Sequence, residues 1–296
     1  MSLVINHNLM ATNAARNLGT AFGNLSVSVR RLSSGLRVGT AADDAAGLSI
    51  RELMRADIAA LNQGVRNAND AISLIQTADG ALSVIDEKLI RMKELAEQAA
   101  TGTYNSDQRL IIDSEYQAMA SEITRIASAT DFNGIYLLNG NLSGDTHVGS
   151  ALQSTGKLKV HFGTANDSAE DYYYIKIGTA TASALGVGMS AGTGAGASIS
   201  TQQGAQQALE AINDAIVSKD NIRADLGALQ NRLENTISNL QIQGENLQAA
   251  ESRISDVDVS LEMTEFVRQQ ILSQAAVAML AQANSLPRLA MQLLGG

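Results

Sequence analysis

Ile58-Ala-Ala-Leu-Asn-Gln-Gly-Val-Arg-Asn-Ala-Asn-Asp-Ala-Ile-Ser-Leu-Ile75 sets apolar side chains at Ile58, Leu61, Val65, Ala68, Ile72 and Ile75, and the pattern resumes at Ala78, Leu82, Ile85, Leu89, Met92 and Ala96. Alternating steps of three and four residues are the period of one face of an α-helix. The stripe takes two positions in seven, which is narrower than the face a helix turns to a globular core and matches a coiled-coil seam. Such a seam needs partner helices. Ile112, Tyr116, Met119, Ile123 and Ile126 repeat the steps after the polar break Thr101–Ser106, so a second helix returns antiparallel to the first. A third comes late, where Leu226, Leu233, Leu240, Leu247 and Ile254 recur in heptads, with Leu229, Ile237 and Ala250 in the intermediate places.

Both ends of the chain carry stripes of their own. Leu18, Ala21, Phe22, Leu25, Val29 and Leu32 mark one end, and Phe266, Ile271, Ala275, Ala278 and Ala281 the other, where Met279 and Leu280 add further apolar surface. Neither stripe is buried by its own helix. No acidic residue precedes Asp43, so Arg16, Arg30, Arg31 and Arg37 give the first 42 residues a side-chain charge of +4, whereas the segment from Asp256 onward is net -2. Opposite charge and matched stripes predict that the termini pair as a hairpin.

Between the halves the heptads stop. Lys157-Leu-Lys-Val-His-Phe162 and Tyr172-Tyr-Tyr-Ile-Lys-Ile177 alternate with period two and read as a small β element. Gly178 to Gly196 is rich in Gly, Ala, Ser and Thr and reads as a dispensable flexible surface loop. The expected fold is mainly α: an elongated helical bundle or coiled coil with long antiparallel helices from both termini and a small β-containing insertion. Its expected domains are 1–44 with 256–296, 45–140 with 201–255, and a short exposed insertion over 141–200.

Composition narrows the function. Aromatics are 3% and tryptophan is absent, which suits helices packed side by side, and the single proline, Pro287, leaves nearly the whole chain free to be helical. A net charge of -9 with no basic patch interleaved with aromatics argues against a nucleic-acid partner. The absence of cysteine excludes disulfides and thiolate chemistry. The opening Met1–Met10 lacks a basic region followed by an apolar run, so no cleaved signal peptide is expected. Ile271 to Leu294 is interrupted by polar residues, so membrane insertion is not expected either. His7, His147 and His161 lie in separate segments without ligand spacing, and Asp43-Asp44 reads as a turn entering a helix. Gly192-Thr-Gly-Ala-Gly196 lacks the strand before it and the Lys-Ser/Thr pair after it that a phosphate loop requires. No catalytic residue, cofactor or metal is expected, and the chain reads as a structural subunit, not an enzyme.

Particular motifs then bring a resemblance. Arg31-Leu-Ser-Ser-Gly-Leu-Arg37, Ala41-Ala-Asp-Asp-Ala-Ala-Gly-Leu-Ser49, Asn67-Ala-Asn-Asp-Ala71 and Asp131-Phe-Asn-Gly-Ile135 look like bacterial flagellin. Ala250-Glu-Ser-Arg-Ile-Ser-Asp256, Glu262-Met-Thr-Glu-Phe266 and Met279-Leu-Ala-Gln-Ala-Asn-Ser-Leu-Pro287 resemble the C-terminal segment of the same family, in the same order. The resemblance covers about residues 1–140 and 204–296 and departs in the middle, where flagellins vary most.

The resemblance implies a helical homopolymer, the flagellar filament used for swimming, with the terminal helices as its inner core, the bundle as its outer core and the insertion outermost. It implies extracellular localisation by way of the flagellar type III export apparatus, a cytosolic export chaperone on about Asp256–Gly296, and contacts with filament cap and hook-associated proteins. It further implies sensing by Toll-like receptor 5, with Ile90-Arg-Met-Lys-Glu-Leu-Ala-Glu-Gln98 similar to the receptor-binding helix, so that Arg91, Leu95 and Glu115 take the recognition roles. The nearest alternative is a hook-filament junction protein of the same superfamily. A transit peptide is a weaker reading, because a removable leader has no reason to be matched by an oppositely charged C-terminus. A membrane-active helix is weaker too, since its polar face carries few Lys or Arg and its other face lacks the Trp that a bilayer interface favours.

Overall fold

A computed structural model of the 296-residue chain describes residues 7–148, 155–167, 171–189, 192 and 194–294. In chain order these form α1 (Leu9–Ser34), α2 (Ala45–Ala100), α3 (Ser106–Ala129), β1 (Asp131–Phe132), β2 (Ile135–Tyr136), β3 (His147–Val148), β4 (Thr155–Gly156), β5 (Leu158–His161), β6 (Tyr172–Ile175), α4 (Gln202–Ser255) and α5 (Val259–Leu294). The predicted helices and the β insertion are therefore present. Two compact units divide the chain, one of residues 1–58 with 245–296 and one of Ala59–Gly244, and both divisions fall inside the long helices α2 and α4.

In the Ala59–Gly244 unit, α2 buries Leu61, Gly64, Ala68, Ala71, Ile75, Ala78, Leu82, Ile85, Leu89, Met92, Ala96 and Ala99. That series alternates three and four without interruption. Val65 and Ile72, expected in the seam, are only half-buried beside it, and Gly64 and Ala71 hold the inward places. Larger residues are excluded from Gly64 by the β insertion, because a Cβ there would stand 2.0 Å from the carbonyl oxygen of Phe162. Asn67 donates to the neighbouring His161 carbonyl at 2.8 Å and seals the same approach.

The leucine ladder of α4 is inward as expected at Leu226, Leu233 and Leu240, while Leu247 is half-buried. Extended backward by heptads, it reaches Lys219, which is 2% exposed, and Ile212. The Lys219 ammonium is held by Asp86 of α2 and by Asp220 at 2.8 Å, and one turn on Arg223 pairs with Asp79 at 2.7 Å. A charge at a seam position costs stability compared with leucine, yet it discriminates strongly among registers, since a slip would bury the ammonium without its carboxylate.

Helix α3 starts at a reciprocal cap, in which Asn105 Oδ1 accepts from Gln108 N at 2.8 Å and Gln108 Oε1 accepts from Asn105 N at 3.1 Å. It buries Ile112, Tyr116, Ala120, Ile123 and Ala127, with Met119 and Ile126 half-buried. The predicted β element is an antiparallel hairpin that pairs Leu158 with Ile175 and His161 with Tyr172.

The Gly178–Gly196 segment corrects the expectation of an unpacked loop. Residues 190, 191 and 193 lie outside the described residues, but Ala180, Ala182, Leu185 and Val187 are buried. Helix α3 supplies the polar frame: Tyr116 Oη donates to the Gly196 carbonyl at 2.8 Å, and Gln117 bridges Met189 N and the Ala197 carbonyl at 2.8 and 2.7 Å. Asp113 Oδ1 accepts from Ile199 N at 2.7 Å. Small residues here serve close approach, as at Gly188, whose φ of 76° is left-handed and where a Cβ would meet that of Ala120 at 2.4 Å. Tyr116→Phe is expected to destabilise the chain by about 0.5–1.5 kcal/mol in denaturant unfolding, because the buried Gly196 carbonyl loses one of its two donors and keeps only Gly188 N at 2.8 Å. An unchanged unfolding midpoint would show that the segment is not anchored through this bond.

Candidate assembly surface

The unit of residues 1–58 and 245–296 is built on an antiparallel pair, α1 against α5. At one end Asn8 caps α1, accepting from Ala11 N at 3.0 Å, and donates across to the Ala283 carbonyl at 2.8 Å. At the other end α1 stops at Gly35, whose φ of 72° lets its N–H return to the Arg31 carbonyl at 2.8 Å. A short ladder follows, with Arg37 N donating to the Ser255 carbonyl at 2.7 Å and Val257 N to the Gly35 carbonyl at 3.0 Å. The terminal hairpin read from stripes and charges is present.

The next turn shows why Asp43 and Asp44 stand together. Asp43 Oδ2 accepts from Thr40 N and Oγ1 at 3.0 and 2.9 Å, its other oxygen meets Arg30 at 2.7 Å, and Asp44 receives Gly47 N at 2.9 Å at the start of α2. The Thr40 hydroxyl, with Arg30 assisting, holds the Asp43 carboxyl below its ordinary range. Both carboxylates are structural, and among the described residues no group of three His, Cys, Asp or Glu is placed to hold a metal ion.

The inner line of α1 runs through Ala14, Leu18, Ala21, Leu25, Ser28 and Leu32, and that of α5 through Glu262, Phe266, Gln269, Ser273, Ala276, Leu280 and Ala283. Ser28, Glu262, Gln269 and Ser273 are buried along it. Arg31 reaches Glu262 at only 3.5 Å, and Arg31 Nε and Glu262 Oε1 find no protein partner among the described residues. This is a weak seam, because buried polar groups without partners oppose association.

Many large apolar side chains face out. Phe22 and Val29 of α1, and Val259, Leu261, Met263, Val267, Ile271, Leu272, Val277 and Met279 of α5, are between 44 and 73% exposed. Of the residues expected to form the assembly surface, Phe22, Val29, Ile271 and Met279 lie on this outer face. Leu18, Leu25, Leu32, Phe266 and Leu280 are half-buried on the inner line. Val259, Leu261 and Val267 were missed because α5 spreads apolar and polar residues around its circumference and has no single stripe to read, and Leu9 and Met10 lie before the first step of the α1 stripe. At the Asn8 end an open cavity of about 460 Å³ lies between Met10, Asn13, Ala14 and Asn17 of α1 and Ala276, Met279, Gln282 and Ala283 of α5.

The residues assigned to immune recognition separate. Arg91 donates through Nε and Nη2 to one Glu115 oxygen at 3.0 and 2.7 Å and through Nη1 to Glu94 at 2.9 Å, all near the surface. Glu115, and then Glu94, stabilise the Arg91 cation further. Leu95 is 1% exposed and belongs to the core. It stands next to Ala96 in the α2 seam, so it supports the Arg91 face from beneath and offers no apolar anchor to a partner. Ile90, Leu110 and Ile111 are the exposed apolar residues of α2 and α3 nearest in sequence.

Comparisons with known proteins identify the family. The model of the bacterial flagellin N-terminal helical region matches residues 5–143, and that of the C-terminal helical region matches residues 209–294. A flagellin of Halalkalibacterium halodurans is 42% identical over 99% of this chain and 100% of its own length. The flagellar filament 33 kDa core protein of Treponema phagedenis is 40% identical over 99% and 100%. A solved flagellar hook-associated protein of Vibrio parahaemolyticus, 14% identical, superposes with a TM-score of 0.55 over 72% of this chain and all of that one, a likeness of fold alone. None of the described helices is long and apolar enough to cross a membrane. The chain belongs to the bacterial flagellin family, whose members are structural subunits of flagellar filaments and not enzymes.

Proposed function

We propose that the chain joins the filament chiefly through the outer faces of α1 and α5, with 1–44 and 256–296 as the inner core, 45–140 and 201–255 as the outer core and 141–200 toward the surface. The observation that carries this is the apolar outer surface of the α1/α5 pair, where many large side chains are exposed while Ser28, Glu262, Gln269 and Ser273 interrupt the seam. Burial of each such side chain against neighbours is worth about 1.5–3 kcal/mol. The same exposed surface, including Val259, Leu261, Ile271 and Met279, suits a cytosolic export chaperone that delays polymerisation until the chain has passed the type III export apparatus without a cleaved signal peptide. Met1–Asn6 and the Leu286 side chain, which also entered these readings, lie outside the described residues. Cap and hook-associated proteins would meet the same terminal surface, and the finished filament would be extracellular.

Removal of the residues before Ala41 and after Ser255 is expected to abolish filaments in electron micrographs, and so is Ile271→Asp together with Val29→Asp in the full chain. Filaments of normal width from either protein would place the assembly contacts elsewhere.

For Toll-like receptor 5 the reading narrows to Arg91 and Glu115, which are accessible and already oriented on each other. In a reporter-cell assay on depolymerised protein, Arg91→Ala and Glu115→Ala are each expected to weaken signalling. Leu95→Ala is instead expected to lower folding stability by about 2–5 kcal/mol as a core truncation. Undiminished signalling by both surface variants would remove this face from recognition.

A further inference from the structure

The chain contains nine methionines and neither cysteine nor tryptophan, so the thioether is its most readily oxidised side chain. Burial sorts these methionines. Met92 is fully buried in the α2 seam, and Met54 and Met119 are half-buried. Among the described residues four are open to solvent: Met189 is 70% exposed, Met279 62%, Met10 50% and Met263 45%. Met1 and the Met291 side chain lie outside the described residues.

Three of the open methionines belong to the terminal pair. Met263 and Met279 stand in one winding row of α5 at four-residue steps, Val259, Met263, Val267, Ile271, Ala275 and Met279, every member of which is exposed. Met10 of α1 and Met279 also line the same open cavity of about 460 Å³ at the Asn8 end, whose other walls are alanine and amide side chains. A flexible, polarisable thioether suits such a place, because it adapts to the irregular surface of an incoming neighbour. Met189 belongs instead to the insertion, where its backbone N–H donates to Gln117 and its side chain is left outside.

We infer that Met10, Met263 and Met279 are oxidation sites through which a peroxide blocks assembly, so that oxidant halts the growth of a filament and spares the filament already built. The inference rests on the assembly role proposed above for the outer faces of α1 and α5. One oxygen atom of the peroxide passes to the thioether sulfur: an S–O bond forms as the O–O bond breaks, the sulfur undergoes a two-electron oxidation, and hydrogen peroxide is reduced to water. The sulfoxide oxygen is a strong hydrogen-bond acceptor, and covering it with an apolar neighbour that offers no donor opposes association. In a finished filament the same three sulfurs are covered and escape. Met92 is protected at every stage by its own seam, and the Met189 sulfoxide leaves assembly unchanged because it lies off the terminal helices.

The test treats the full-length, depolymerised chain with hydrogen peroxide, removes the peroxide, maps sulfoxides by peptide mass spectrometry and seeds filament growth. Met10, Met189, Met263 and Met279 are expected to oxidise while Met92 stays reduced and the circular dichroism is that of untreated protein. The critical concentration for growth is expected to rise about tenfold for each terminal sulfoxide. Reductases for both sulfoxide epimers are expected to restore growth. Each variant is compared with itself untreated, which cancels any effect of leucine: peroxide no longer changes growth when Met10→Leu, Met263→Leu and Met279→Leu are combined, whereas Met189→Leu stays as sensitive as the parent. Peroxide applied to finished filaments is expected to convert Met189 and leave the terminal three reduced. The inference is overturned if chains with all three sulfoxides mapped grow filaments normally while the Val29→Asp, Ile271→Asp chain does not, or if the triple leucine variant remains peroxide-sensitive. Growth by the aspartate variant as well would overturn the assembly reading, and this inference with it.

Discussion

Where a self-sufficient pair of helices would bury leucine, the α1/α5 pair buries Ser28, Glu262, Gln269 and Ser273, and it leaves Phe22, Val259, Leu261, Ile271 and Met279 to solvent. A seam so interrupted holds two helices in register through end contacts, such as Asn8 on Ala283 and the ladder at Ser255, while its leucines and Phe266 are only half-buried and leave part of their hydrophobic stabilisation unused. Most of the area that could order these helices lies on their outer faces. Under the proposed function, ordering of the termini and association with neighbouring subunits are one process, as in other segments that fold when they bind.

The Ala59–Gly244 unit follows the opposite logic. Its α2 seam is continuous and dry, and its small members, Gly64, Ala68 and Ala71, allow the β insertion to approach within contact of the helix. Lys219 adds specificity at the expense of some stability, since only one register brings Asp86 to it. A unit closed within one chain can remain folded on depolymerisation, whereas under the proposed function the terminal helices depend on company.

Much of this was legible in the residues. Periods of three and four located all the long helices, the oppositely charged ends announced their pairing, and the alternating runs marked the hairpin. What escaped has physical causes. Val65 and Ile72 drew the seam toward large apolar residues, although close approach of Phe162 required glycine at 64 and left the inward places to small side chains. The Gly178–Gly196 segment has a linker's composition, but its order depends on Asp113, Tyr116 and Gln117, residues far away in sequence. Leu95 sat on the face adjoining Arg91, and the period of a single helix does not distinguish that rim from the core in which Leu95 is buried. The outer face of α5 escaped because a helix whose polar and apolar residues are spread around its circumference carries no directional signal.

Amide hydrogen exchange of the full-length chain, compared between monomer and filament, tests the coupling of terminal ordering to assembly most directly. The account predicts that amides of Leu9–Ser34 and Val259–Leu294 exchange rapidly in the monomer and become strongly protected in the filament, while the seam amides of α2 between Leu61 and Ala99 are protected in both. Strong protection of α1 and α5 in the monomer, equal to that of the α2 seam, would contradict it.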